Sequence, residues 1–429
     1  MNTSCTQRSS VALLALIAAG CGGGDESDSR AHPAAEGQVQ ILSASMPTCS
    51  DARVHDNGTV VYVTIPASCE FESPIELTLT VDRHAPRDHT VRIESPGVES
   101  AFEPETGLTR RVSVFRRGTW RSLDNGASWR WRDGAGLLAK DGGLYLMGGW
   151  SGGVDMNSDV WFTRDLLHWI ERTPRAPWNG RHGAGWVVHA DRLWVIGGDL
   201  FTDVWSSTDG NDWRLETQAA AFGERYTPIG ASLNGRLLIY GGMAWGPSRW
   251  CAYMPECFAY GFNDVWSSND GVTWTAVQPA APWTPRGLIH GSIVFNGRTY
   301  IIGGGLKLAS TSSVLAETTA EHHDVWSSDD GVHWRQEADD AGFSPRTHLA
   351  TLGTEHGCYI AGGSVMYQLA VTNEVYFAPD CVRFRLLPGY EQLGVRHAAS
   401  IAQFNGSIVI LGGHADTAGT TVWQYFPDI

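Results

Sequence analysis

The chain has 429 residues, with 31 Lys and Arg against 46 Asp and Glu and a formal net charge of −15. That balance disfavours nucleic acid as a partner, because such binding depends on neutralising phosphates. Only Lys140 and Lys307 are lysines, so Schiff-base chemistry has few candidates, and Lys140 beside the turn Asp141-Gly142-Gly143 reads as a solvated loop residue.

At the N-terminus Arg8 precedes an apolar run from Val11 to Ala19, then Gly20-Cys21 and a stretch rich in Gly, Ser and Asp. A spanning helix needs about 20 apolar residues, so this run is too short to be one and is expected to be a signal segment. Ala18-Ala19-Gly20-Cys21 resembles a bacterial lipobox, with Ala18 where Leu is commoner. The resemblance implies a signal peptide over residues 1–20, lipidation at Cys21 and a flexible tether over 21–37; the alternative is a plain secretory signal cut nearby. The expected location is the extracytoplasmic side of a bacterial cell envelope, with the outer membrane preferred and the lipid as the only membrane attachment.

Apart from Cys5 and Cys21, six cysteines remain, an even number for an oxidising compartment. Sequence proximity suggests the pairs Cys49 with Cys69 and Cys251 with Cys257, and antiparallel pairing of neighbouring strands, which brings the start of one beside the end of the next, suggests Cys358 with Cys381. None has the Cys-x-x-Cys spacing of a zinc or redox site.

Residues 38–110 alternate with period two at 59–65, 75–81 and 89–93, separated by Pro, Gly and Asp turns. This favours a small antiparallel β-sandwich, read as an Ig-like spacer domain. A repeat follows over residues 111–429. Gly pairs fall at Gly148/Gly149, Gly197/Gly198, Gly241/Gly242, Gly303/Gly304, Gly362/Gly363 and Gly412/Gly413. Each is preceded by an Arg at the start of the unit and followed by an Asp-Val-Trp-like triplet. Third- and fourth-strand aromatics stand at a constant spacing in Trp161/Trp169, Trp205/Trp213, Trp266/Trp274, Trp326/Trp334 and Tyr376/Phe384, which marks a tight hairpin. Six such units, each with four strand signals, predict six propeller blades. The sixth unit lacks its fourth strand, and the segment Trp120 to Trp129 is expected to supply it and close the ring.

The Gly pairs, the downstream aromatic and the closing Trp resemble the kelch-repeat family of β-propellers. The fold class implied is all-β, a six-bladed kelch-type β-propeller preceded by a small Ig-like β-sandwich. Asp-Val-Trp-Ser-Ser-x-Asp-Gly-x-x-Trp also resembles a shortened Asp-box, whose Asp is expected to accept backbone N–H bonds in the turn.

Each unit has an Arg: Arg132, Arg181, Arg225, Arg286, Arg346 and Arg396. A residue present in every blade is best explained by packing and pairing between blades, and the lesser alternative is a ring that binds carboxylates or acidic sugars. His182, His290, His348 and His397 recur beside these Arg residues and are weighed in the same way. Interruptions of the repeat say more. The third and fourth units carry long loops before their third strands, and both are expected on one face of the disc. Trp245, Arg249, Trp250, Tyr253 and Tyr260 of the third-unit loop, with Arg225, Arg286 and His290, are the ligand-binding candidates. A self-packed loop explains the same aromatics equally well. Glu321-His322-His323-Asp324 is a poor metal motif, because neighbours in an extended segment point to opposite sides. No metal and no cofactor is expected.

The leading expectation is a monomeric envelope lipoprotein whose propeller binds a carbohydrate or protein ligand without turnover. A carbohydrate-active enzyme, mutarotase- or epimerase-like, is the alternative that the resemblance implies; a copper oxidase of the kind known among kelch proteins would need a cysteine left over from disulfides. A structural docking subunit of an envelope complex is the third reading. No catalytic residue can be assigned from the sequence.

Overall fold

Wherever the structure describes the chain, alternating apolar residues form strands, and no α-helix occurs among those residues. The computed structural model describes strand backbone at residues 53–56, 60–64, 75–80, 90–94, 98–102 and 109–116, then residues 118–123, 128–152, 156–246, 258–307, 319–365, 370–414 and 419–427. The chain divides into two compact units after Thr119.

The first unit contains two three-stranded sheets. Val60–Thr64 pairs antiparallel with Arg53–Asp56 and parallel with Thr90–Glu94, while Thr109–Arg116 lies between Ile75–Thr80 and Val98–Phe102. The parallel pair departs from the all-antiparallel arrangement expected. Its cause is connectivity: a parallel pair needs a crossover, and here the intervening chain contributes Ile75–Thr80 to the other sheet before returning.

In the second unit, residues Gly185–His189, Arg192–Gly198, Phe201–Ser207 and Trp213–Thr217 form one antiparallel sheet in chain order. The pattern recurs around a propeller-like arrangement of four four-stranded sheets and one eight-stranded sheet. In the eight-stranded sheet two such sets of strands join where Ile289–Phe295 pairs in parallel with Leu349–Thr354. Gly291 permits this approach, since a Cβ there would lie 2.3 Å from the Thr351 carbonyl oxygen. The last sheet takes its outer strand from the start of the unit: Trp120–Leu123 pairs antiparallel with Val422–Tyr425. This is the closing strand that the sequence led us to expect.

The repeated Arg residues hold the sheets together, and each bonds within its own repeat rather than to a neighbour's acid. Arg181 is fully buried and donates to the Gly197 carbonyl at 3.1 Å and to Asp203 at 2.6 and 3.0 Å. Arg132, Arg225, Arg286 and Arg346 repeat this with Asp159, Asp264, Asp324 and Glu374. The link to the next repeat is made by backbone. The second Gly of a pair donates to the carbonyl of the following Arg, as in Gly149 to Arg181 at 2.8 Å and Gly413 to Arg132 at 2.7 Å, which closes the circle. The aromatic three residues before the Arg packs edge-on against the fourth-strand aromatic, with centroids 5.7 Å apart for Trp178 with Trp213 and 5.2 Å for Phe222 with Trp274.

The Asp-box turns behave as their sequence implies. Asp209 Oδ1 accepts the N–H groups of Asn211 and Asp212, Ser207 Oγ accepts that of Gly210, and Trp213 Nε1 donates to the Gly210 carbonyl. The fifth repeat has Ala378 in place of the Ser and Cys381 in place of the Gly, so the hydroxyl contact is lost. There a disulfide from Cys381 to Cys358 ties the turn to the second strand. The other expected pairs, Cys49 with Cys69 and Cys251 with Cys257, lie outside the described residues, as does Cys21.

Arg396 differs from the other five. Thr421 stands where they have an acid, and among the described residues Arg396 bonds only to carbonyls, those of Leu393, Gly394 and Gly412. Burial without a carboxylate pushes its pKa down to about 10. Thr421→Asp is therefore expected to stabilise the protein by about 1–2 kcal/mol, while Asp203→Asn, which strands a buried guanidinium, costs about 3 kcal/mol or more. Thermal denaturation followed by circular dichroism reads both, and a Thr421→Asn variant gaining as much as the Asp would rule out a charge effect. Replacing Cys358 and Cys381 together by Ala is expected to remove about 2–4 kcal/mol, measured by denaturant unfolding against the parent.

Candidate functional site

Each Arg precedes a first strand and each Gly pair ends a second, so antiparallel pairing brings both to one end of the sheets. The short hairpins Met243–Gly246 with Phe258–Gly261 and Gly305–Lys307 with Thr319–Glu321 leave from that same end. The long connections of the third and fourth repeats thus share a face with the repeated Arg residues, as the spacing predicts.

Two residues after each Arg the backbone turns left-handed: Gly134, Gly183, Thr227, Leu288, His348 and Ala398 have φ between 46° and 58°. Four of them, with Gly134, link head to tail around the axis. Gly183 N–H donates to Gly134, Gly134 to Ala398, Ala398 to His348 and His348 to Leu288, at 2.6–2.8 Å. Leu288 N–H completes this stretch by donating to Thr227 Oγ1 at 2.7 Å. Thr, Leu, His and Ala tolerate φ values that normally favour Gly because the collar of hydrogen bonds holds them there.

One residue earlier stand Asp133, His182, Tyr226, Gly287, Thr347 and His397. Most form an isolated bridge with the residue after the Gly pair: Asp133 with Trp150, Tyr226 with Met243, Gly287 with Gly305, Thr347 with Ser364 and His397 with His414. Residues directly opposite in such a bridge present their side chains to one face. In the second repeat the link is made by a side chain, as Asp199 Oδ2 accepts both the backbone N–H of His182 and its Nδ1 at 2.8 Å.

These side chains converge at the axis. His397 lies 5.1 Å from both His348 and His414, and His348 stacks on His290 at 5.9 Å, all between ring centroids. His397 Nε2 is 3.5 Å from Asp133 Oδ2. Aromatic rings flank the imidazoles on two sides. Trp131, Trp150 and His414 contact one another at 5.4–5.9 Å, and Tyr226 meets Trp245 edge-on at 4.4 Å.

The electrostatics are divided. Burial works against a charged His182, but the carboxylates of Asp199 and Asp133 outweigh it and raise the pKa to about 9, so this imidazole is a cation at neutral pH. Burial, with the repulsion of His182 and His397, pushes His290 down to about 3 and keeps it neutral. Asp133 Oδ1, Asp199 Oδ1, His290 Nε2 and His397 Nδ1 are buried and have no hydrogen-bond partner among the described residues. Such atoms are costly unless something satisfies them. Acceptors, a cationic donor and half-buried aromatic rings suit a polyhydroxylated molecule with apolar ring faces.

The residues singled out from the sequence are placed as follows. His290 lies in this cluster and Trp245 at its edge. Arg225 and Arg286 are buried in the sheets, each bonded to its own Gly carbonyl and Asp. Tyr260 is 42% exposed and touches Phe262 at 5.5 Å. Arg249, Trp250 and Tyr253 lie outside the described residues. Among the described residues no three His, Cys, Asp or Glu side chains are grouped to hold a metal, and Asp324 is held by Arg286. Trp131, Asp133, Trp150, Asp199, Tyr226 and His414 were not singled out from the sequence. A signal for them exists: within a near-invariant repeat, the residues just after the Arg and just after the Gly pair vary freely in chemistry.

No protein-family model matches the chain, and no curated protein matches it.

Proposed function

We propose that this chain is an extracytoplasmic envelope lipoprotein, anchored through Cys21, that binds a carbohydrate at the axial mouth of its propeller without turnover. In this reading the propeller is of the kelch type and six-bladed, with the eight-stranded sheet counted as two blades, and the two N-terminal sheets are an Ig-like spacer. The observation that carries it is the convergence of Asp133, His182, Asp199, His290 and His397 between two groups of aromatic rings. The polar atoms answer sugar hydroxyls and the rings answer the apolar faces of the pyranose.

A second reading is favoured by one feature, the opposite protonation of His182 and His290 within the same cluster. A cationic imidazole can give a proton to a sugar ring oxygen while a neutral one takes the proton of the anomeric hydroxyl, which opens the ring, as a mutarotase or epimerase would require.

On glycan arrays and by isothermal titration, the mature protein is expected to bind a defined sugar. Trp150→Ala and Asp199→Asn should each weaken that binding tenfold or more, about 1.4 kcal/mol or above, when measured at a temperature where circular dichroism shows the variant folded. Unchanged affinity in both variants would defeat the proposal. The two readings separate in sugar NMR: accelerated anomer exchange that disappears in His182→Ala would replace binding with catalysis.

A further inference from the structure

Charge at the axial mouth narrows the ligand. A ring of repeated guanidinium groups suits an acidic sugar, but none of them faces the mouth. Five are paired with acids of their own repeat and the sixth, Arg396, is taken up by three carbonyls. Lys140 pairs with Asp141 and Asp191 at the opposite end of its strand. Among the described residues, what remains at the axis is two carboxylates, Asp133 and Asp199, and five imidazoles: His182, His290, His348, His397 and His414.

Of those imidazoles, His182 is bonded through Nδ1 to Asp199 Oδ2, and His290 is buried among the others. One oxygen of each carboxylate engages an imidazole, Asp199 Oδ2 with His182 and Asp133 Oδ2 with His397. The second oxygen of each, Oδ1, is buried and has no partner among the described residues. Asp133 and Asp199 are only 5% and 8% exposed, so water alone solvates them poorly. A buried carboxylate oxygen in this position is best satisfied by a donor that is itself charged.

The neighbouring rings favour the same sign. Trp131 and Trp150 stand at 88° to each other with centroids 5.9 Å apart, and Asp133 is bridged through its backbone to Trp150. The His414 ring lies against both indoles, at 5.5 and 5.4 Å, and an ammonium group beside this set of rings gains from the ring quadrupoles as well as from the acid. The whole chain, at −15, attracts cations and repels anions on approach.

We infer that the mouth selects a sugar bearing a free ammonium group, held by Asp133 and Asp199 against the Trp131 and Trp150 rings. The inference rests on the axial mouth being a carbohydrate site. The ammonium is attracted by the two carboxylates, and the sugar's hydroxyls address the imidazole edges that border them.

The test uses the mature chain at pH 7 with hexosamines of gluco, galacto and manno configuration, their N-acetylated forms and the matching uronic acids, by saturation-transfer NMR and titration calorimetry. A hexosamine is expected to bind at least tenfold tighter than its N-acetylated and carboxylated counterparts, and its affinity should fall as salt is raised. Asp133→Asn and Asp199→Asn should abolish the preference. His182→Gln, which removes a cation and leaves both acids, should strengthen hexosamine binding, so the inference stays testable if an Asp variant folds poorly. Equal affinity across the three classes, or preference for a uronic acid, overturns the inference and leaves the carbohydrate reading standing. No binding by any of the sugars overturns both.

Discussion

The propeller depends on one contact repeated around its axis: a buried guanidinium that grips a glycine carbonyl with one arm and an acid with the rest of its fork. Its planar geometry matches both partners at once, which an ammonium could not do. Because the Gly ends the second strand and the acid begins the third, the contact fixes three strands at the same end. The Arg carbonyl meanwhile receives the N–H of the preceding repeat's second Gly in most repeats. A single residue thus fastens its own sheet and the joint to its neighbour. The left-handed turn that follows, and the collar it forms, are positioned by that double fastening.

A frame held this firmly frees the positions next to it. In five of the six repeats the residue after the Arg and the residue after the Gly pair have their backbones bridged, so their side chains carry no structural duty in common and vary from acid to imidazole to phenol. Every repeat but the fourth, which has Gly287 and Gly305 at these positions, offers such side chains, and their mutual geometry is set by sheets rather than by loops. Sites on rigid elements hold their groups more closely than sites on loops do.

Much of this architecture was legible in the chain. The Gly pairs, the constant aromatic spacing of the hairpins and the missing final strand led to the sheets, the Asp-box turns and the closure by Trp120–Leu123. The Arg residues read mainly as architecture, with Arg225 and Arg286 also named as ligand candidates; the structure buries all six, and the acids of five lie in the same repeat. The pairing of Val60–Thr64 with Thr90–Glu94 was not legible, because periodicity tells which face a residue takes and not which strand it joins. Nor was the fusion of two sets of strands at Gly291, where the deciding feature is a missing side chain. The axial cluster was hidden for a different reason. Asp133 and His397 come from opposite ends of the repeat array, and they meet only because the ring closes; loop length points to Trp245 and not to Asp199, whose connection is the shortest of all.

The closing strand also constrains the order of events during folding. Trp120–Leu123 is made first and its partner Val422–Tyr425 nearly last, so a chain emerging N-terminus first carries an unpaired strand through almost the entire synthesis of the propeller. Contacts this distant in sequence form slowly, and an exposed edge invites pairing with the wrong chain. The collar, the Gly413 link to Arg132 and the imidazole cluster on both sides of the seam all await the same final step. A truncated chain would therefore lose the axial centre as a whole, even with most of its sheets intact.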